Sequence, residues 1–411
     1  MEVGIIIRNM KRLTAILIAS FCIMPMFAQL NGNGYYRIQN VGSSRYMSIV
    51  NDRADATNKN AIKSGGSGNV FALKTVKDYS KIVSDPGSIV YMEKNGTSGS
   101  EYNLKGQGMY TYTLTGGMSL KVYDTKDGNN SYWLYGAQAG MTRFLQDIES
   151  TNDEENIKIT SERDKAICKW FIKPIDQTNE YLGITPDVTI GDKHYTTIYY
   201  SFPIKLSSGM KAYYVKNTFA GTGIVNQVAE MAEIADGIVP AKTPAIIECN
   251  STDPADNKVT LLNEGEVTAS YKNDLKGVFF SYVKLTLSGK ENTTDLGKQL
   301  KNATTYDANT MRVLGIVDGK LGFVKASESN LNLGQYLPAN KAYLPVYSAG
   351  DNITLVDAAQ YSAGIENLTN DQTTKDSKVY SLDGICVGNE NNFEELPNGI
   401  YIVNGKKMVK N

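Results

Sequence analysis

Histidine is almost missing from this chain. His194 is the one example in 411 residues, which excludes any multi-histidine metal site and argues against zinc. Ser-His-Asp and Cys-His nucleophiles would all have to share that residue. It falls in Gly191-Asp192-Lys193-His194-Tyr195, which reads as a surface turn running into a strand. Cysteine is scarce too. Cys22, Cys168, Cys249 and Cys386 are too widely spaced for a disulfide framework, and the last three read as small apolar residues. Charge of one sign is also lacking. With 42 Lys+Arg against 43 Asp+Glu, nothing draws the chain to nucleic acid or to an anionic membrane surface. There is no P-loop, no glycine fingerprint after a strand, no zinc signature and no helix-loop-helix calcium loop. No cofactor and no metal are expected, and the expected protein is not an enzyme.

Long apolar runs are missing with one exception. Leu13 to Phe27 is apolar apart from Thr14, Ser20 and Pro25. Met10-Lys11-Arg12 precedes it and Ala28-Gln29 follows. That order of charge, apolar run and small residue predicts a secretory signal peptide over 1–28. The signal needs nothing before Met10, so a start at Met10 stands as an alternative to Met1. The run is shorter than the roughly 20 residues of a membrane span, so no transmembrane anchor is expected. Phe21 stands where a lipid-attachment site at Cys22 would need a small residue.

Tyrosine is abundant, with 26 against 11 Phe and 2 Trp. Tyrosine suits half-buried strands, and it suits binding surfaces because it joins apolar area to a polar tip. The length beyond residue 28 suits two or three domains. Over 30–176, short strands such as Tyr35-Tyr36-Arg37-Ile38, Tyr46-Met47-Ser48-Ile49 and Trp170-Phe171-Ile172 alternate with Gly/Asn/Ser turns, which predicts a barrel or sandwich. A helical patch is expected from Met141 to Ser150 and a solvated loop from Asn152 to Asn156. Over 177–360, two Pro-Ala corners lead into apolar strands, at Pro240-Ala241 and Pro338-Ala339. Val313 to Phe323 reads as a hairpin turning on Asp318-Gly319. Ile224, Val228, Met231 and Ala232 have helical spacing in a stretch that otherwise reads as strand. Residues 361–378 read as a polar linker. At 379–411, Pro397-Asn398-Gly399 breaks the chain and two strands face each other across Asn404-Gly405.

Three resemblances follow from these residues. Gly34-Tyr35-Tyr36-Arg37-Ile38-Gln39-Asn40 with Arg45-Tyr46-Met47-Ser48, then Ser119-Leu120-Lys121-Val122-Tyr123-Asp124 with Tyr132-Trp133-Leu134-Tyr135, then Lys169-Trp170-Phe171-Ile172, resemble units of a ricin-type β-trefoil. The Gln-x-Trp signature of that family is absent, because the closing strand has Cys168-Lys169-Trp170. Trp170 therefore reads as a core wedge. The Pro-Ala corners, with Met210 to Val215, resemble a β-sandwich-like module of secreted and surface proteins in Bacteroidales. That module implies location rather than chemistry. Val379 to Gly384 and Leu396 to Val409 resemble the end of a type IX secretion sorting domain, which implies the outer-membrane secretion machinery as a partner. The expected fold is all-β: a β-trefoil-like domain over 30–176, a β-sandwich-like domain over 177–360 and a C-terminal hairpin segment.

If the trefoil binds sugar, the unit Tyr123, Asp124, Asn129 and Trp133 is the best placed. Trp133 or Tyr123 would stack on a sugar face, and Asp124 and Asn129 would bond its hydroxyls. The same residues fit a plain structural account, with Tyr123 and Trp133 in a barrel core and Asp124 to Gly128 as turn formers. Asp147/Glu149 and Glu394/Glu395 are expected to be solvated charge. The expected function is a secreted or cell-surface, non-enzymatic binding protein with a glycan ligand. Two alternatives stand beside it: a structural or adhesive surface protein whose trefoil is scaffold, and a glycoside hydrolase, which needs two carboxylates facing one sugar bond.

Overall fold

A strand with one buried face alternates apolar and polar residues, and the first part of the chain does so three times over. Tyr36-x-Ile38, Tyr102-x-Leu104 and Tyr132-x-Leu134 each point two side chains inward. In the computed structural model these lie on three strands of a closed ring. The model describes residues 30, 32–51, 62–64, 70–71, 73–95, 101–109, 111–114, 119–219, 227–263, 267, 271–281, 304–346, 352–361, 378–382, 385–403 and 406–410. The signal peptide over 1–28, most of the linker and the Asn404-Gly405 turn lie outside the described residues. No helix among the described residues is long and apolar enough to cross a membrane.

The ring runs antiparallel throughout. Gly34–Asn40 pairs with Val90–Lys94, which pairs with Tyr102–Lys105. Tyr102–Lys105 pairs with Lys121–Asp124, and that strand with Ser131–Gln138. Trp170–Pro174 closes the circle by pairing with both Ser131–Gln138 and Gly34–Asn40. Closure leaves these six strands no free edge. Trp170 fills the centre, its indole N–H donating to Leu145 O at 3.2 Å, as the core-wedge reading required. Ile38, Leu104 and Leu134 are fully buried around it, each stabilising the ring by about 1.5–3 kcal/mol. Phe280, from far along the chain, completes the same core.

Three expectations for this region change. Met141–Gln146 is a strand, not a helical patch, because Ala139 and Gly140 both take positive φ (51° and 75°) and fold it back on Ser131–Gln138. The charged run at Asn152 to Asn156 is not a free loop: Glu154–Asn156 pairs with Leu73–Val76. Asp147 is buried rather than solvated. It forms an ion pair with Arg45 at 3.2 Å and accepts from the Thr75 and Ser43 hydroxyls. Arg45, itself buried, also donates to the carbonyls of Ile148, Ser150 and Asn152, so one cation organises a loop about a hundred positions away. Glu149, Glu394 and Glu395 are exposed, as read.

Beyond residue 180 a ten-stranded sheet runs from Val188–Ile190 to Lys276–Val278. It curls, so that Lys193–Ile198 meets Lys341–Pro345 through Thr197 Oγ1, which donates to Ala342 O (3.1 Å) and accepts from Ala342 N (3.0 Å). Tyr195, Val215, Ile246, Phe323, Leu344 and Ile353 fill the curl. A four-stranded sheet (Leu182–Gly183, Lys258–Leu261, Ile204–Leu206, Ile238–Val239) packs on the outside of the same strands over a second core. Ala245–Cys249 lies between the two cores. Ile246 faces one, Ala245 and Ile247 the other, which explains its unbroken apolar run. Gln227–Glu233 is strand, so the helical spacing there gives way to pairing with Lys211–Phe219; Ile224 lies outside the described residues. Asp318 and Gly319 both have positive φ (49° and 77°) in the hairpin the sequence marked. The last 34 residues contain a four-stranded sheet around Val379, Tyr401 and Val403.

The two larger parts are joined by buried charge. Arg37 on the ring donates to Glu180 (3.4 Å), to Tyr181 O (2.7 Å) and to the carbonyls of Ile82 and Val83. Glu180 also accepts from the Tyr46 hydroxyl at 2.7 Å and pairs with Lys173 at 3.1 Å.

Candidate functional site

Strand alternation decides what the ring shows to solvent. On Ser131–Gln138, Tyr132 and Leu134 point inward, so Trp133 and Tyr135 point outward. Tyr123 lies directly across from Trp133, and Phe144 directly across from Tyr135. Four aromatic rings thus form one outward platform over three strands. The Tyr123 and Trp133 rings are nearly parallel, 13° apart with centroids at 6.2 Å. Tyr135 meets Tyr123 edge-on at 6.5 Å, and Phe144 meets Trp133 at 6.1 Å. Tyr123 is the most open of the four, at 39% exposure.

Polar groups rim this platform. The Arg163 guanidinium lies over the Trp133 ring at 5.1 Å, and Arg163 O accepts the indole N–H at 2.9 Å. A shallow groove of about 640 Å³ adjoins it, lined by Thr142, Phe144, Glu162, Arg163, Asp164 and Lys165. On the other side Lys121 pairs with Glu101 at 2.5 Å beside Tyr135. Burial and the Glu101 carboxylate push the Tyr135 hydroxyl up, against the pull of Lys121, so it remains a neutral donor and acceptor.

The four residues singled out by sequence do not stay together. Tyr123 and Trp133 share the platform, outside the core that the plain structural account gave them. Asp124 follows Tyr123 directly, so the pleat turns it to the other side of the sheet, opposite Tyr132. Its carboxylate accepts from Lys126 N at 2.8 Å and shapes a turn. Asn129 is exposed at the tip of that turn and donates its backbone N–H to Asp127 at 3.0 Å. Asp127 is the hub there. Burial would raise its pKa, but bonds from Asn129 N, Ser131, Lys169 and Thr125 outweigh burial and hold it well below the usual carboxylate range.

Tyr135, Phe144 and Arg163 were not found from sequence. The period-two rule applied to Trp133 already points to Tyr135. Phe144 becomes visible only once Met141–Gln146 is read as a strand, and Arg163 carries no local signal. His194 follows its turn on a strand, Nδ1 3.0 Å from the Thr189 hydroxyl. Cys168 and Cys249 are buried, burial pushing both thiols up, while Cys386 is exposed. No family model, curated protein or solved structure matches the chain.

Proposed function

We propose that this is a secreted or surface-displayed, non-enzymatic protein that binds carbohydrate on the outer face of a β-trefoil-like ring. The observation that carries the reading is the platform of Tyr123, Trp133, Tyr135 and Phe144, four outward aromatic rings on adjoining strands. The apolar face of a sugar stacks on such rings, and its hydroxyls reach the flanking Arg163, Thr142 and Lys121. The trefoil reading is supported by ring closure and by the threefold Tyr-x-Ile/Leu repeat in the core. Export rests on the predicted signal over 1–28, and surface delivery on the resemblance of 379–411 to a sorting domain, with the outer-membrane secretion machinery as partner.

A glycan array with the full chain lacking residues 1–28 tests the binding. The full chain is required because Phe280 forms part of the ring's core. Binding that is lost in Tyr123→Ala and Trp133→Ala supports the platform. A clean blank across diverse glycans leaves the ring as scaffold, the structural or adhesive alternative. Fractionating cells for the protein separates surface delivery from retention in the periplasm.

A further inference from the structure

The outer platform is not the only recess with polar side chains. Where the ring meets the curled sheet, a cleft of about 490 Å³ opens between Asn51 and Asp85 on one side and Asp187, Thr196, Asn340 and Lys341 on the other. We propose that this cleft is a second binding site, for a neutral polyhydroxylated ligand of mono- or disaccharide size.

Charge argues for the class. Lys341 is the one lysine or arginine among the described residues that line the cleft, and it is already engaged, 2.6 Å from Asp187 and 2.7 Å from the Thr196 hydroxyl. Asp85 has no ion-pair partner among the described residues. It accepts from Gly87 N at 2.8 Å and from the Ser48 hydroxyl. Burial pushes its pKa up, and the hydrogen bonds and the more distant Lys74 and Arg37 do not restore it. An anion would therefore meet Asp85 with no free cation among the described lining residues to receive it. A polyol offers hydroxyls that donate to Asp85 and exchange bonds with the amides and hydroxyls around it.

Tyr200 is the second, independent observation. It is 6% exposed and lines the cleft, and no group among the described residues bonds its hydroxyl. Its ring packs against Phe202 at 5.6 Å, and burial pushes its hydroxyl pKa up. A neutral hydroxyl held on an apolar ring at the cleft wall is a donor awaiting an acceptor. The backbone beneath it is tied down by hydrogen bonds. Both Pro-Ala corners end in a left-handed residue, Lys242 (φ 57°) and Asn340 (φ 58°). Lys242 N donates to Tyr200 O, and Tyr199 N donates to Asn340 O, each at 2.8 Å. Asn340 Nδ2 reaches across to Gln107 of the ring at 3.2 Å. The repeated motif thus clamps the Tyr199-Tyr200 segment from two directions, and a preformed cleft loses little on binding.

This proposal does not depend on the outer platform. Isothermal titration calorimetry on the full chain lacking residues 1–28, with D-glucose, D-galactose, D-mannose, lactose and maltose, tests it, with D-glucuronate as the charged comparison. At least one neutral sugar is expected to bind saturably, and more tightly than glucuronate. That binding should survive Trp133→Ala, weaken about tenfold or more in Asp85→Asn and about threefold or more in Tyr200→Phe. The phenylalanine variant keeps the ring in its core and decides the matter if Asp85→Asn does not fold. No saturable binding of any neutral sugar, tighter binding of glucuronate, or affinity untouched by the cleft substitutions overturns the proposal.

Discussion

The ring and the curled sheet use the same kind of strand to opposite ends. In the ring, Lys121–Asp124 and Ser131–Gln138 bury one face and turn the other outward. Tyr123, Trp133, Tyr135 and Phe144 are what that freedom exposes. In the curled sheet, Ala245–Cys249 and its neighbours are covered on both faces, by the curl's own core and by the four-stranded sheet. A strand buried on both sides has no face to offer a ligand. Its part of the molecule can bind only at corners and seams, and that is where the cleft lies. The ring therefore presents function on a face, the curled sheet at an edge shared with the ring.

Substitutions sharpen this contrast. The largest effect is expected at the seam itself. Arg37→Ala leaves three carbonyls without their donor and Glu180 with Lys173 as its remaining cation, and should cost about 3–5 kcal/mol, the range for breaking a buried pair. Denaturant unfolding measures it; a loss under about 1 kcal/mol would mean the two parts are not held by this contact. Next is the doubly covered strand. Ile246→Ala should cost about 2–5 kcal/mol, because truncating a fully buried side chain leaves a cavity in the core of the curl. Gly277→Ala probes the seam more gently. An added Cβ would sit 2.0 Å from the Tyr199 ring, and about 1–3 kcal/mol is expected in the same assay.

Smaller effects belong to the ring. Asp127→Asn weakens a turn held by charge-assisted bonds, with a loss of about 1–2 kcal/mol near neutral pH. The folded carboxyl titrates below its unfolded value, so its stabilisation is complete above the unfolded pKa of about 4 and fades as pH falls further. The gap between the melting curves of parent and variant should therefore narrow steadily as pH falls below about 4; a gap that does not change with pH would assign the loss to packing instead. Tyr123→Ala should change stability by less than about 1 kcal/mol, since its ring is the most open of the platform. Loss of glycan binding without loss of stability would set face and core apart most cleanly.

Much of this architecture could be read along the chain wherever the determinant is local. The Asp318-Gly319 hairpin, the Pro-Ala corners and the core role of Trp170 each depend on a few adjoining residues and on backbone preferences that act at short range. The errors have the opposite character. Met141–Gln146 looked helical because its turn is Ala139-Gly140, a pair with no strong hairpin preference at its first position. Asp147 looked solvated because Arg45 and Thr75, which bury it, are 102 and 72 positions away. The candidate quartet mixed both cases. Tyr123 and Trp133 come together by cross-strand register, while Asp124 is lost to the site because neighbours on a strand face opposite ways.

By itself, then, the sequence determined the all-β class and the core place of Trp170, because composition and local strand and turn patterns need no knowledge of distant partners. Tertiary structure alone decided which aromatic rings share a face, and that Asp85, Tyr200 and Lys341 line a single cleft. Those arrangements depend on register and on sheet curvature. They are set by contacts between residues far apart in the chain, which no local pattern encodes.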